Sequence, residues 1–473
     1  MAVATTTSFP VPALESRATH CAAALREAEE VLVVSHIDAD GLTSAAIAAR
    51  ALQRADIAHG VIFENQLDAD VIERIAADAY QTVLFTDFGS GQLPSIVPQA
   101  EAGAIDPIVV DHHQPADVDF EPHLNPLLAG IDGATELSGA GATYLLARAL
   151  GGASNRDLAA LAVVGALGDR QETDGELIGA NASIAEEGVD AGVLDTTTDL
   201  ALYGRQTRPL PKLLAYAGEI DIPGITGDRD GAARFLDGLD ADLRRGDEWA
   251  RWVDLSDDDR QTVASELLKR AITRGVPAAK VDRLVGTTYT LVEEAPGTVL
   301  RDATEFSTLL NATARYDRAD VGLAVCLGDR GGATERARQL LQEHRRNLSA
   351  GVEWVRENGV TRMEHCQWFH AGDAIRETIV GIVAGMAVGV EEVERSLPII
   401  AFAEKGDDKV KVSARATPAL TDRGVDLSVA MHTAATTVDG EGGGHTVAAG
   451  ATIPAETEET FLETVDAVLG EQQ

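Results

Sequence analysis

The sequence has little lysine, cysteine and aromatic residue, and each shortage argues against a class of protein. Six lysines stand against 76 acidic residues, and the formal net charge is −37. The three cysteines, Cys21, Cys326 and Cys366, lack both the CxxC spacing of a zinc or redox site and the even number of a disulfide framework. We therefore expect reduced thiols in a cytoplasmic protein. The four tryptophans are scattered and predict no row of base-stacking rings.

Long apolar runs are also lacking. The longest, Leu158 to Leu167 and Thr378 to Val390, are shorter than the roughly 18–20 residues that cross a bilayer. The first twenty residues do not have the basic and apolar segments of a secretory signal. We therefore expect no membrane association. A chain of 473 residues is too long for one core, which indicates two or three domains.

The acidity alone would argue against a nucleic-acid partner, because phosphate backbones repel acidic surfaces. Abundant Asp and Glu, scarce Lys, and many Ala and Gly instead indicate adaptation to molar salt, where screening shortens to about 3 Å. An acidic protein of an ordinary environment is the alternative. Three of the six lysines fall within residues 405–411, a local basic signal against this background.

The most informative segment is residues 31–41, Val-Leu-Val-Val-Ser-His-Ile-Asp-Ala-Asp-Gly. Its four apolar residues predict a buried strand, and the turn that follows carries His36, Asp38 and Asp40. Alternate spacing directs these three side chains the same way if strand geometry continues. Ligands at the carboxyl end of a strand project into the crevice where open α/β sheets bind their substrates. Imidazole and carboxylate ligands suit Mn²⁺ or Mg²⁺.

The same pattern recurs three times, which chance does not explain. Each time an apolar segment delivers a ligand at its end: residues 82–86 before Asp87, residues 107–110 before Asp111-His112-His113, and residues 161–168, predicted as a helix, before Asp169. Apolar strands alternate with Ala-rich helices from about residue 21 to 195, which predicts a parallel sheet.

The Asp111-His112-His113 triplet resembles the signature of the DHH phosphoesterase family. All four motifs resemble its RecJ-like branch, in particular the archaeal nucleases related to the GINS-associated nuclease. Gly442-Gly443-Gly444-His445 is similar to the glycine-rich signature of the DHH-associated domain, so the resemblance spans nearly the whole chain.

The predicted fold class is α/β, with a parallel-sheet DHH domain joined by a helical connector to a smaller α/β DHH-associated domain. The expected boundaries are a flexible lead over residues 1–20, the DHH domain over 21–195, the connector over 196–285 and the second domain over 286–473. In the connector the strands disappear. Alternation then resumes, with strands expected at residues 289–293, 321–327, 397–403 and 409–416.

A two-metal phosphoesterase needs a carboxylate that bridges both ions. Asp87 is the candidate, because its strand should lie beside the strand that ends at His36. The ligands predicted for one ion are His36 and Asp38, and those for the other are Asp40, His112 and Asp169. The mixture of imidazole and carboxylate favours two Mn²⁺ ions, with Mg²⁺ possible.

Two further residues of the triplet have alternative roles. Asp111 either orients His112 or His113, as ligating histidines usually require, or caps the following turn. His113 contacts the phosphoryl oxygens, protonates the leaving group, or is a structural histidine.

In the second domain, the family resemblance implies a phosphate-binding Ser413 and Arg415, which share a strand face with Lys411. An exposed edge strand with ordinary basic residues is the alternative. Gly443, Gly444 and His445 would bring the backbone close to a phosphate, unless the glycines form only a flexible loop. Asn311, with Arg315 nearby, resembles a further family segment and is a substrate-binding candidate, with helix-surface contacts as the alternative.

The resemblance implies a manganese-dependent exonuclease that degrades single-stranded DNA or RNA to nucleoside monophosphates in replication or repair. GINS or other replisome proteins are the implied protein partners. One alternative is a DHH phosphatase for nano-RNA, cyclic dinucleotides or pyrophosphate, but those relatives are shorter and space the first motif as His-x₃-Asp-x-Asp. Another is a replisome scaffold without activity, although such a relative has lost ligands that this chain keeps.

Overall fold

The computed structural model describes residues 9–217, 220–406 and 408–472. The chain divides into two compact units, residues 1–338 and 339–473. Residues 286–338, which the sequence assigned to the second domain, therefore lie in the first unit. The predicted lead is also shorter than expected. Its residues 1–8 lie outside the described residues, but a 3-10 turn (Pro12–Leu14) and a helix from Glu15 follow, anchored by buried Leu14 and Ala18.

A five-stranded parallel sheet forms the start of the first unit, in the order β2-β1-β3-β4-β5. Its strands are β1 (Glu30–His36), β2 (Ala58–Glu64), β3 (Thr82–Thr86), β4 (Asp106–Val110) and β5 (His123–Leu124). The helices of this region are α1 (Glu15–Glu27), α2 (Ala39–Arg54), α3 (Ala69–Ala76), α4 (Leu93–Glu101), α5 (Gly139–Gly151), α6 (Ala159–Gly168) and α7 (Gly179–Asp190).

Helices cover both faces of this sheet. One core joins α1, α2 and α5 to one face, and a second core joins α3 and α4 to the other. Because both faces are buried, the central strands are continuous apolar runs instead of alternating ones. The predicted parallel-sheet α/β domain is confirmed.

The strand order places the candidate ligands at one edge of the sheet. From β1 the chain builds outward to β2 on one side, and then to β3, β4 and β5 on the other. β1 pairs directly with β3, so the predicted adjacency of these two strands is confirmed. The carboxyl ends of β1 and β3 flank the point where the order reverses, and open α/β sheets bind ligands at such a point.

The rest of the first unit is mainly helical. Its helices are α8 (Leu210–Ala215), α9 (Arg229–Asp237), α10 (Asp257–Thr273), α11 (Ala278–Val281), α12 (Ala303–Ala314) and α13 (Ala319–Cys326). Its strands are short hairpins and one antiparallel pair: β6 (Glu172–Thr173), β7 (Glu176–Leu177), β8 (Leu194–Leu200), β9 (Arg244–Arg245), β10 (Glu248–Trp249) and β11 (Val285–Leu291). The connector has its own apolar core. Strands do not disappear from it entirely, because β8 and β11 pair at its two ends and β9 and β10 lie within it.

The strand predicted at residues 321–327 is wrong, because this segment lies in helix α13. Helix α13 packs against α2 and α12, and its Val321 and Val325 are buried. A short apolar run fits a buried strand and a buried helix equally well, so its periodicity could not decide between them.

The second unit contains a six-stranded sheet in the order β12-β13-β14-β15-β17-β16. Its strands are β12 (Thr361–Arg362), β13 (Gln367–His370), β14 (Ile399–Glu404), β15 (Lys409–Arg415), β16 (Glu441–Gly444) and β17 (Ala448–Pro454). The helices are α14 (Gly332–Asn358), within which the two units divide, α15 (Val380–Ala387), α16 (Pro418–Thr421), α17 (Leu427–Thr437) and α18 (Glu458–Gln472). Helices α17 and α18 pack on one face of the sheet and α15 on the other.

The three cysteines are buried and form no disulfide in this structure. Within the described ranges, no helix combines the length and the apolar character needed to cross a membrane.

Candidate metal centre

Asp38 is fixed in place by the start of helix α2. It is the N-cap of that helix, and its Oδ1 accepts hydrogen bonds from the backbone N–H groups of Asp40 and Gly41, both at 3.1 Å. Capping satisfies two helix donors with one carboxylate oxygen. The other oxygen, Oδ2, lies 3.1 Å from Nδ1 of His36. The same turn therefore orients both predicted ligands of the first ion.

Asp87 lies between two groups of ligand side chains. It follows β3 with a φ of 63°, a left-handed conformation that few residues other than glycine adopt. Its side chain is 2% exposed, with Oδ2 at 3.6 Å from Nδ1 of His36 and Oδ1 at 3.2 Å from Nε2 of His112. The two oxygens of one carboxylate thus face different partners, as a bridging ligand must.

His112 faces the second group of carboxylates. Its Nε2 lies 3.8 Å from Oδ2 of Asp40 and 3.8 Å from Oδ2 of Asp169. On the other side of the ring, Nδ1 donates to the carbonyl of Gly133 at 2.6 Å. A bond of this kind fixes the tautomer of a ligating histidine and directs Nε2 toward the metal position.

Asp40 is held by the start of helix α5. Its oxygens accept hydrogen bonds from the backbone N–H groups of Gly139 at 2.7 Å and Ala140 at 3.0 Å. Glycine is required at position 139, because a Cβ there would lie 2.4 Å from Oδ1 of Asp87. The helix therefore approaches both carboxylates with bare backbone.

The structure brings together all six predicted metal ligands. Their ligand atoms form two groups, in each of which the atoms lie within 4.8 Å of one another: His36, Asp38 and Asp87 in one, and Asp40, His112 and Asp169 in the other. The donor set of imidazoles and carboxylates fits a divalent ion such as Mn²⁺. The residues present therefore fit the predicted metal.

The electrostatics of the cluster also fit a cation. Burial, followed by the charges of Asp87 and Asp169, raises the pKa of Asp40 well above its usual value. Burial opposes protonation of His36 and His112, but the adjoining carboxylates raise the pKa of both imidazoles well above the ordinary value. Negative charge is crowded into a buried space, and a bound cation would offset it.

Asp111 orients His113 and also caps the turn, so the two alternatives for its role coexist. Its Oδ1 accepts from Nδ1 of His113 at 2.8 Å and from the backbone N–H of His112 at 2.7 Å, while Oδ2 accepts from Ser90 N at 2.9 Å. Burial disfavours its ionised form, but the hydrogen bond with His113 lowers the pKa of Asp111 well below the usual range. The His113 side chain is 57% exposed, and its ring centroid lies 4.2 Å from that of His112.

Two amide side chains missed by the sequence analysis support the second ligand group. Gln171 donates from Nε2 to Oδ2 of Asp169 and to the carbonyl of Gly133, both at 2.9 Å. Asn181 donates to Oε1 of Gln171 at 2.7 Å, which fixes the orientation of that amide. Neither residue belongs to a ligand motif, although Gln171 follows Asp169 by only two positions.

We expect Gln171→Met to lower the affinity for Mn²⁺ by about 10- to 100-fold, the usual effect of losing a residue that orients a metal ligand. Methionine keeps the volume of the buried side chain but cannot hold Asp169 or the Gly133 carbonyl. Titration calorimetry with MnCl₂ measures the change. Gln114→Met, at an exposed position beside the triplet, is the matched control. Unchanged affinity in Gln171→Met would remove this residue from the site.

The candidate phosphate-binding residues of the second unit lie on an interior strand. β15 pairs with both β14 and β17, so the alternative of an exposed edge strand is wrong for Ser413 and Arg415. Ser413 is 7% exposed. A Cβ on Gly381 of α15 would lie 2.7 Å from Nη2 of Arg415 and 2.9 Å from Oγ of Ser413, so bare backbone approaches both polar groups. Lys411 lies on the same face of the strand, beside Gly450.

The glycine triplet does not form a loop, because residues 441–444 form strand β16 at the edge of the sheet. Gly442 packs against α17, where a Cβ would lie 2.5 Å from the carbonyl of Met431. Gly443 pairs with Gly450, which in turn pairs with Ser413. The glycines therefore leave a face without side chains next to Ser413. His445 is exposed in the turn after Gly444.

Asn311 lies in the first unit and not beside the candidate phosphate-binding residues of the second. Its Oδ1 accepts a hydrogen bond from the backbone N–H of Ala39 at 3.1 Å, so helix α12 supports the start of α2 beside Asp38. The structure therefore favours a positioning contact over direct substrate binding. Burial opposes ionisation of Asp38, but His36 lowers the pKa of this carboxyl well below its usual value. Arg315, one helical turn after Asn311, makes a smaller contribution in the same direction as His36.

Comparison with known proteins identifies the class of protein to which this chain belongs. Three family models match the chain in succession: the DHH family N-terminal domain over residues 30–166, the DHH-CID domain over 202–285 and the DHHA1 domain over 365–471. An uncharacterized protein of Methanocaldococcus jannaschii is 30% identical over 450 residues, which cover 93% of this chain and 94% of that protein. These matches and the Asp111-His112-His113 motif indicate that the class is the DHH family of phosphoesterases and nucleases.

The chain belongs to the DHH family, and its fold is RecJ-like. RecJ of Thermus thermophilus in complex with Mn²⁺ is similar with a TM-score of 0.60 and 19% identity, covering 98% of this chain and 55% of RecJ. This chain thus spans about half the length of that RecJ. CDC45 of Entamoeba histolytica gives a TM-score of 0.67 at 10% identity, covering 96% of this chain and 99% of CDC45. Membership of this family supports a metal-dependent phosphoesterase activity.

Proposed function

We propose that the protein is a manganese-dependent exonuclease that hydrolyses single-stranded DNA or RNA to nucleoside monophosphates. The observation that supports it most directly is the position of Asp87, whose two carboxylate oxygens face two separate groups of metal-ligand side chains. A carboxylate shared between two ion positions is the central element of two-metal phosphodiesterases. RecJ structures with Mn²⁺ and with Mg²⁺ are among those that share the fold.

The residues of the site have separable tasks. His36, Asp38 and Asp87 would hold one ion, and Asp40, His112 and Asp169 would hold the other, with Asp87 shared. Divalent cations bound there supply Lewis acidity and neutralise charge on the reacting phosphate. Backbone donors from α5 and the N-cap geometry of α2 hold the carboxylates in place before substrate binds. Little reorganisation is then needed during the reaction.

His113 is the proposed proton donor to the leaving group. Asp111 accepts from its Nδ1, so a protonated His113 ring keeps its Nε2 proton for the substrate. The exposure of the ring leaves it accessible to a phosphodiester bound beside the candidate metal ligands. Asp111 itself is fully buried and acts by orienting this ring.

Ser413 and Arg415 are proposed to bind a phosphate of the strand away from the reacting one. A guanidinium and a hydroxyl beside a backbone without side chains form a site of the right chemistry for a phosphate oxygen. Lys411, Gly443, Gly444 and His445 would contribute further contacts along the same sheet.

Arg415→Ala should slow the degradation of a single strand at least about tenfold more than the hydrolysis of a small chromogenic phosphodiester, because remote contacts position only the longer substrate. The two rates are measured side by side in Mn²⁺. Arg362→Ala, an exposed arginine of the same unit, is the matched control. Equal losses on both substrates would place Arg415 in the fold or in the metal site instead.

A replisome scaffold is the second candidate function, favoured by the likeness of the fold to CDC45. In that case the chain would bind replication proteins such as GINS, with or without hydrolysis. The complete ligand set argues for activity in addition to any such role.

Product analysis on labelled single strands of DNA and RNA, in molar KCl with Mn²⁺, tests the proposed function. We expect nucleoside monophosphates from the first time points, with no intermediate fragments of random length. Hydrolysis of dinucleotides but of neither strand would indicate a small-substrate phosphodiesterase. No hydrolysis of any substrate would leave the scaffold.

A further inference from the structure

A cluster of aromatic and basic side chains lies in the connector, outside the metal centre. The guanidinium of Arg208 is 4.6 Å from the ring centroid of Tyr203 and 5.4 Å from that of Tyr216, and the Lys212 ammonium is 5.9 Å from the Tyr216 ring. A further contact of this kind in the connector places the Arg244 guanidinium 3.9 Å from the centroid of the Trp249 ring. The connector of this acidic protein thus carries cations that lie against aromatic rings.

The local backbone builds this cluster. Gly204 has a φ of 103°, and a Cβ there would lie 2.4 Å from Cδ of Arg208, so the arginine side chain crosses directly over the glycine. Arg208 also donates to the Tyr203 carbonyl at 3.2 Å. Helix α8 is anchored through its buried leucines, and it presents Lys212 one turn before Tyr216. The cluster is therefore built on local contacts and on a buried helix face.

Tyr216 is unusual in its exposure. Its residue is 61% exposed, and it is the one aromatic among the large apolar residues that are exposed in the described ranges. Lys212 is also exposed and is one of only six lysines in the chain. An exposed ring flanked by two cations, on a protein with a net charge of −37, offers stacking and phosphate neutralisation together.

We propose that Tyr203, Arg208, Lys212 and Tyr216 form a binding site for single-stranded nucleic acid, in which a base stacks on Tyr216 while Lys212 and Arg208 neutralise neighbouring phosphates. This inference rests on the proposed exonuclease function and adds a contact point for the strand away from the metal ligands. Stacking acts at van der Waals range, so it persists at the short screening length of molar salt.

The segment that carries the cluster is joined to the metal centre through helix α12. The backbone N–H of Gln206 donates to Oε1 of Glu305 at 2.8 Å, and Arg205 pairs with Asp302, both at the start of that helix. Six residues after Glu305, Asn311 binds the backbone of Ala39 beside Asp38. At 1.5 Å per residue the two anchor points lie about 9 Å apart along the helix. A strand bound at the cluster is thus placed against the unit that holds the metal ligands.

Strand binding without hydrolysis tests this site. The full-length protein is titrated into a fluorescein-labelled thymidine oligomer of about 16 nucleotides in EDTA and molar KCl, with anisotropy as the readout. A second oligomer of the same length has an abasic tract in place of the bases. The variants are Tyr216→Ala, Tyr216→Phe and Lys212→Ala. Ile272→Ala and Lys269→Ala are matched controls, because both residues are exposed on α10 of the same connector.

We expect Tyr216→Ala to weaken binding of the thymidine oligomer by about 5- to 100-fold, and Tyr216→Phe to bind as the parent does, because a phenyl ring still stacks. The effect of Tyr216→Ala should vanish on the abasic oligomer, whereas Lys212→Ala should weaken binding of both. Unchanged affinity in Tyr216→Ala, or an equal loss of affinity for both oligomers, would overturn the site. If the parent protein still cleaves single strands, the proposed function would remain intact. A parent that binds no strand in EDTA would also overturn the site, whereas the proposed function is decided separately by cleavage of strands in Mn²⁺. If only binding of a protein partner depended on Tyr216, the cluster would be a protein interface and the proposal would be wrong.

Discussion

Asp87→Asn is expected to lower the rate of phosphodiester hydrolysis by at least about 10³-fold while the protein stays folded. Both proposed ion positions would lose a charged ligand at once, because one oxygen of Asp87 faces His36 and the other faces His112. Asparagine gives a more specific test of the charge than alanine does. Asp87 has a φ of 63°, and asparagine tolerates this conformation better than most residues. The variant therefore removes charge with little change in backbone energy.

Asp56→Asn is the matched control for this experiment. Asp56 has a φ of 58° and is exposed at the end of α2, so it has the backbone geometry of Asp87 without its neighbours. Circular dichroism and a melting curve in molar KCl check that both variants fold. Turnover of Asp87→Asn in Mn²⁺ within tenfold of the parent would exclude a bridging role. Loss of Mn²⁺ binding along with activity would support it.

The convergence of the candidate metal ligands could be predicted from sequence because it follows from topology. The carboxyl ends of parallel strands in one sheet lie along the same edge, so residues at the ends of neighbouring strands lie close together. His36 is the last residue of β1, and Asp87 and His112 follow β3 and β4 in this way. Asp169 arrives from the end of helix α6, and its apolar run predicted that helix correctly.

The supporting contacts could not be predicted, because many of them come from the backbone. The carbonyl of Gly133 and the N–H groups of Gly139 and Ala140 bind His112 and Asp40, and any residue has such groups. What the sequence does show is glycine where a side chain would collide. At Gly133, a Cβ would lie 2.0 Å from the His112 carbonyl. Such a signal has meaning only after the fold is known.

The glycine triplet is the opposite case, because the sequence analysis identified the motif but did not predict that it forms a strand. Three consecutive glycines disfavour a strand on intrinsic preference, so a flexible loop was the alternative to a phosphate-binding role. The strand forms because Gly442 must approach the carbonyl of Met431 closely and because β17 supplies the pairing. Tertiary packing outweighs local preference here, whereas the apolar run at 321–327 fits a strand and a helix equally well and forms helix α13.

The second large effect concerns salt. We expect the melting temperature to rise by more than about 10 °C between about 0.1 M and 2 M KCl, which corresponds to several kcal/mol of unfolding free energy. The 76 acidic residues outnumber 39 basic ones, and exposed carboxylates adjoin one another, as Asp257 and Asp258 do at the start of α10. Their mutual repulsion is longest in range at low salt, where it destabilises the compact state.

The origin of this salt effect can be separated from general exclusion of solutes. Sucrose is excluded from protein surfaces but screens no charge, so it should not replace KCl if repulsion is the cause. Cleavage of single strands, measured across the same KCl series, should increase with the folded fraction. Strand affinity should fall less steeply with salt than for a basic nuclease, because few phosphates can be paired with lysine or arginine in so acidic a chain. Greater stability and faster cleavage at about 0.1 M than at 2 M KCl would refute the adaptation to molar salt. The acidic surface would then need a binding partner of opposite charge to account for it.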